Sequence, residues 1–136
     1  MIKKTITFID YNGIERTENF YFNLTEAELT EMELSTVGGY QQYVQNVIDA
    51  KDGPSLIRLF KDLIMRTYGV KSPDGREFRK SEEISRSFAQ TEAYSKLFME
   101  LATDSKAAAD FVNGVVSDDM RRRMTEQNKL TTIPNN

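Results

Sequence analysis

The sequence predicts an α+β fold that is predominantly α, with an N-terminal β-hairpin packed on a compact bundle of about five to seven helices. Three observations carry this reading. Two strand-like runs bracket an Asn12-Gly13 turn, a succession of cap and apolar-stripe signals begins at Thr25, and 136 residues suffice for one hydrophobic core. Residues 1–126 read as one globular domain, with the hairpin at 3–23 and the helical part at 25–126. Residues 127–136 lack periodicity and read as a flexible tail.

The hairpin comes first. Ile6, Phe8 and Ile9 sit among Thr5 and Thr7, and Phe20, Tyr21 and Phe22 follow a polar stretch. Register decides the loop. A two-residue loop would pair Phe8 with Thr17 and split the apolar side chains between faces. A three-residue loop, with Gly13 left-handed in a G1 bulge, pairs Ile6 with Glu18 and puts Ile6, Phe8, Phe20 and Phe22 on one face. The bulged hairpin is therefore expected. Two strands alone are marginal in water, so the aromatic face must pack on helices.

Thr25 and Glu28 have the spacing of a capping box, and Leu24 and Leu29 that of a hydrophobic staple. The helix they open should run to about Ser35 and break at Gly38-Gly39. A second helix from about Tyr40 to Ala50 carries Tyr40, Tyr43, Val44, Val47 and Ile48 at helical spacing. After Asp52-Gly53, Pro54 opens the strongest helix of the chain, residues 54–68. Leu56, Ile57, Leu59, Phe60, Leu63, Ile64 and Tyr68 fall within about a 180° arc, and Gly69 is the expected C-terminal stop. Ser72-Pro73-Asp74-Gly75 is a turn. Ser81 caps a short helix with Ile84 and Phe88, and Thr91-Glu92 restarts it, so residues 82–102 are expected as two helices. Asp104 caps a segment bearing Ala107, Ala108, Phe111 and Val112 that closes near Gly114. Ser117-Asp118-Asp119 opens a last, basic helix.

Composition narrows the chemistry. Cysteine, histidine and tryptophan are all at zero, which removes disulfides, thiolate nucleophiles and zinc sites, and histidine general bases. Hydrophobic residues at 39% and charged residues at 29% suit a soluble folded chain. Residues 1–50 hold three basic and eight acidic side chains, and residues 51–136 hold fifteen and thirteen. Neither half has the concentrated basic face of a nucleic-acid binder. Arg121-Arg122-Arg123 spreads over about 200° of a helix and reads as a solvated cluster near a helix end. No apolar run is long enough for a membrane span, and none follows Lys3-Lys4 to make a secretory signal. Gly38-Gly39 lacks the residues of a phosphate loop, and no carboxylate series has EF-hand spacing. No cofactor, metal or enzyme activity is expected, and the chain is expected in the cytoplasm.

Met32, Met65, Met99, Met120 and Met124 are spread over several helices, where flexible side chains either fill a core or make soft partner contacts. The candidate partner-binding residues are Tyr40, Tyr43, Met65, Met99, Met120 and Met124. Oligomeric state is open at this level.

Several strings, taken in order, resemble a known family. They are Phe20-Tyr21-Phe22-Asn23-Leu24-Thr25, Met32-Glu33-Leu34-Ser35 leading to Gly38-Gly39, and Phe60-Lys61-Asp62-Leu63-Ile64. Ser72-Pro73-Asp74-Gly75-Arg76 with Phe78 follows, then Phe88-Ala89-Gln90-Thr91-Glu92-Ala93-Tyr94 and Leu97-Phe98-Met99-Glu100-Leu101-Ala102. Over about residues 3–117 their spacing resembles the tail assembly chaperones of long-tailed bacteriophages and prophages of Gram-positive bacteria. The resemblance implies a non-catalytic role: binding the tape measure protein and keeping it soluble until the tail tube polymerises, in the cytoplasm of the bacterial host and outside the mature virion. It also implies the tail tube protein and a frameshifted longer form of the chain as further candidate partners. The alternative from another class is a small structural tail or connector subunit.

Overall fold

The computed structural model describes residues 1–115. Strands β1 (Ile2–Ile9) and β2 (Glu15–Phe22) are followed by helices α1 (Glu26–Ser35), α2 (Tyr40–Ala50) and α3 (Gly53–Thr67). Short strands β3 (Tyr68–Lys71) and β4 (Phe78–Arg79) come next, then α4 (Glu82–Ala89), α5 (Glu92–Thr103) and α6 (Ser105–Val115). The predominantly helical α+β class with an N-terminal hairpin is as the sequence predicts. The last basic helix, the Arg121–Arg123 cluster and the tail at 127–136 lie outside the described residues.

In the first hairpin Ile6 pairs with Glu18 and Ile9 with Glu15, the register of the three-residue loop. Gly13 has φ 77°. Asp10 organises the loop: its Oδ1 accepts the N–H groups of Asn12 and Ile14, both at 2.9 Å, and its Oδ2 accepts Arg16 Nε at 2.6 Å. The Arg16 and Ile14 hydrogen bonds hold the Asp10 carboxyl below the usual carboxylate range. One face of the hairpin buries Ile6, Phe8 and Phe22, with Phe20 half-buried beside them.

The capping box of α1 forms in both directions. Thr25 Oγ1 accepts the Glu28 N–H at 3.1 Å, and Glu28 Oε1 accepts the Thr25 N–H at 3.0 Å. Leu24 and Leu29, the staple, are both buried. Gly38 and Gly39 take positive φ in the turn, and α2 then spans the residues expected of it.

The structure departs from the sequence reading at the end of α3. Gly69 is not a left-handed helix stop. The helix ends at Thr67 and the chain enters β3 directly. Tyr68 pairs with Phe22 and Gly69 with Tyr21, so β3 extends the hairpin on the β2 side. The Ser72–Gly75 turn then returns the chain as β4, where Phe78 pairs with Lys71, completing an antiparallel sheet of order β1-β2-β3-β4. Four- and two-residue strands are too short to show an alternating pattern, and Tyr68 continues the apolar stripe of α3. Pairing with β2 supplies hydrogen bonds that a further helical turn would have had to supply alone. At Gly69 a Cβ would come within 2.5 Å of the Phe78 ring and 2.9 Å of the Arg79 carbonyl, so this glycine serves close packing. Ile57, expected on the buried arc of α3, is exposed.

Residues 82–102 form two helices, as expected. Thr91 caps α5 by accepting the Tyr94 N–H at 3.2 Å, while donating to the Phe88 carbonyl at 2.8 Å. Asp104 caps α6 through the N–H groups of Lys106 and Ala107. The described part of α6 runs to Val115, with Gly114 in its last turn. A Cβ at Gly114 would stand 2.7 Å from Ile2 Cδ1 on β1.

The core is aromatic at its centre. Phe22 is fully buried, and its ring lies 5.6 Å from Tyr68, 5.8 Å from Phe88 and 5.3 Å from Phe111. Tyr68 and Phe88 stack at 4.2 Å, and Phe20 reaches Phe88 at 5.1 Å. A second tie is polar. Lys80 donates to the Asn23 carbonyl at 2.9 Å and the Arg66 carbonyl at 3.1 Å, and pairs with Glu28 Oε2 at 2.5 Å. Partial burial raises the Glu28 pKa, but the hydrogen bonds from Lys80 and from the Thr25 N–H outweigh it and hold the carboxyl below its usual range.

Three measurements test this packing. Phe22→Ala should lose about 3–5 kcal/mol of unfolding free energy in chemical denaturation. Gly69→Ala should lose roughly 1–3 kcal/mol, because the ring and the carbonyl leave no room for a methyl group. Since folding lowers the Glu28 pKa, its contribution is present above the unfolded value and is lost as pH falls through the folded value. Denaturation midpoints followed from about pH 6 to pH 3 should therefore fall less steeply in Glu28→Gln than in the wild type.

Candidate functional site

Helix α2 packs on α1 and α3, whereas α6 packs on α5 and β1. Held by different neighbours, the two helices leave a trough between them with α3 as its floor. Its wider part, about 650 Å³, is lined by Val44 and Ile48 from α2, Leu56, Leu59 and Phe60 from α3, Leu101 from α5, and Ala108 and Val112 from α6. Its narrower part, about 240 Å³, adds Leu24, Leu29, Tyr40, Leu63 and Val115. Val44, Gln45, Val112 and Asn113 line both, so the trough is continuous.

The local sequence explains each wall. The apolar stripe of α2 is only partly used in packing: Tyr40 is buried, Val44 and Val47 are half-buried, and Ile48 is 44% exposed. The floor residues Leu59, Phe60 and Leu63 come from the arc of α3 already filled by the core. The rim is uncharged over most of its length, with Gln41, Gln45, Thr103, Ser105 and Asn113 at its edges. Such a surface can hold apolar side chains of another helix by contact and desolvation. Among the described residues no group of three or more aspartates and glutamates is placed to hold a metal ion, and no helix is long and apolar enough to cross a membrane.

Of the six residues singled out in the sequence, the four that are described are not gathered here. Tyr40 lines the narrow end but is buried, with its hydroxyl 3.5 Å from Asp62 Oδ2. Burial pushes its phenol well above the ordinary tyrosine range, and the Asp62 carboxylate adds to the rise. Tyr43 is 41% exposed, its ring 5.8 Å from Tyr40, and does not line the trough. Met65 is half-buried in a polar hollow with Glu28, Arg66, Lys80 and Ser85, and its carbonyl accepts the Ser85 hydroxyl at 2.8 Å. Met99 is 53% exposed on α5, away from the trough. Met120 and Met124 lie outside the described residues.

The sequence reading passed over the aliphatic residues Val44, Ile48, Leu56 and Val112, because each sits at core spacing on its own helix. Tyr40, Tyr43, Val44, Val47 and Ile48 have the i, i+3, i+4, i+7, i+8 spacing of an ordinary surface helix, so the sequence of α2 carried no separate signal of the trough.

No curated protein and no solved structure matches the chain. The family model described as phage tail assembly chaperone matches residues 1–135, and the chain therefore belongs to that family.

Proposed function

We propose that this phage tail assembly chaperone binds the tape measure protein through the trough between α2 and α6 and keeps it soluble until tail tube subunits polymerise. The observation that carries the reading is an open aliphatic trough, about 650 Å³ at its wider part, with Ile48 exposed and Val44 and Val112 half-buried on its walls, in a member of an assembly chaperone family. A tape measure protein is a long helical chain with repeated apolar stripes, and an aliphatic trough suits one such stripe. Each contact can be weak, because many chaperone copies on one client act together. The role is non-catalytic, takes place in the host cytoplasm and ends before the virion is complete. The tail tube protein and a longer form of the chain are further partners under the same reading.

Co-expression with the client tests it. Losing one aliphatic contact of about 1.5 kcal/mol should weaken each site about tenfold. Ile48→Glu should therefore lower the soluble fraction of the tape measure protein sharply, whereas Met99→Ala should leave it unchanged. An unchanged fraction with Ile48→Glu would count against the trough. Mass spectrometry of purified particles separates the chaperone from a structural subunit: stoichiometric presence in mature tails would support the subunit.

A further inference from the structure

We propose that Lys51 makes the trough selective for a two-turn apolar helical segment flanked by a carboxylate. This rests on the client reading above and adds the chemistry of the segment that is recognised.

Lys51 is the one charged residue among those lining either part of the trough. It stands at the wide end, beyond Ile48 and beside the start of α3. Floor residues from Leu56 to Leu63 span about 10 Å at helical rise, the length of two turns. A helical segment of that length presents anchors at i, i+3 or i+4, and i+7. A residue flanking those anchors reaches the rim where Lys51 stands.

The acids nearest in sequence to this end hydrogen-bond to neutral donors and form no ion pair with Lys51. Asp49 Oδ1 accepts Gln45 Nε2 at 2.8 Å, and Asp52 caps α3 by accepting the Ser55 N–H at 3.2 Å. Asp104 caps α6 through the N–H groups of Lys106 at 3.0 Å and Ala107 at 3.1 Å. The Lys51 ammonium has no hydrogen-bond or ion-pair partner among the described residues. Its backbone is left-handed, with φ 53° and ψ 31°, and it is the one non-glycine residue with positive φ among the described residues. Glycine is the usual occupant of this position after a helix. A lysine at the rim of an otherwise uncharged trough, with no ion-pair partner among the described residues, complements a carboxylate on the occupant.

Fluorescence anisotropy on the full chain tests the proposal, using two labelled helical peptides with leucine at i, i+4 and i+7. One peptide is flanked by glutamates and the other by lysines. The glutamate peptide should bind about two- to fivefold more tightly at low salt, as expected of one exposed ion pair, and high salt should erase the preference. Lys51→Glu should invert the preference. Lys51→Gly, which relieves the left-handed backbone, should abolish it without loss of folding. Equal binding of both peptides by the wild type would overturn the role of Lys51 while leaving the client reading intact. If the preference holds but Ile48→Glu leaves client solubility unchanged, the client reading fails and the selectivity of the trough stands. Peptide binding that emerges only after Met120→Asp with Met124→Asp would assign the trough to the chain's own residues 116–136. Binding lost as the chain self-associates in sedimentation would assign it to a second copy. Either result would overturn the proposal.

Discussion

Burial of the β2 aromatic face is the constraint on which the rest of this structure depends. Phe22 has no exposed surface, and its ring meets Tyr68 from β3, Phe88 from α4 and Phe111 from α6. A two-stranded hairpin cannot hold such a face dry by itself. Three later elements must close over it, and their positions follow from that requirement. The stacked Tyr68 and Phe88 rings bring α4 onto β3, while Phe111 brings α6 toward the sheet, where Gly114 allows close contact with Ile2.

The direct passage from α3 into β3 carries that constraint into the helical layer. Thr67 donates to the Leu63 carbonyl at 2.7 Å and accepts the Asn23 N–H through its own carbonyl at 2.8 Å, so the end of α3 is bonded to the end of β2. Lys80 ties the same corner to α1. Helix α3 is thereby fixed against the sheet and forms the floor of the trough. Helix α2 then hangs on α1 and α3 on one side, and α6 is drawn to α5 and β1 on the other. The trough is the space left by these two attachments.

Much of the fold was legible because its signals are local. Thr25 with Glu28, Ser81, Thr91 and Asp104 each bond to backbone N–H groups two or three residues away, so spacing alone identifies them. Gly13 and the two-sided pattern of the hairpin determine its register for the same reason. The second hairpin was not legible, because Tyr68 and Gly69 fit a helix end as well as a strand start. Their strand conformation depends on Tyr21 and Phe22, more than forty residues earlier. The candidate site was less legible still. Val44, Ile48 and Val112 look like ordinary core positions, and Tyr40, Tyr43, Met65 and Met99, chosen for their chemistry, are dispersed over the fold.

By itself the sequence determined the class of the protein, the order and ends of most helices, the register of the first hairpin and, through ordered strings, its family. These depend on contacts within a few residues, where composition and spacing carry the physics. Only the tertiary structure decided that the hairpin grows into a four-stranded sheet, that Gly69 serves close packing and not a helix end, that Gly114 stands against Ile2, and that the apolar stripe of α2 is only partly covered. Those outcomes depend on which distant surfaces meet, and burial of Phe22 selects that arrangement.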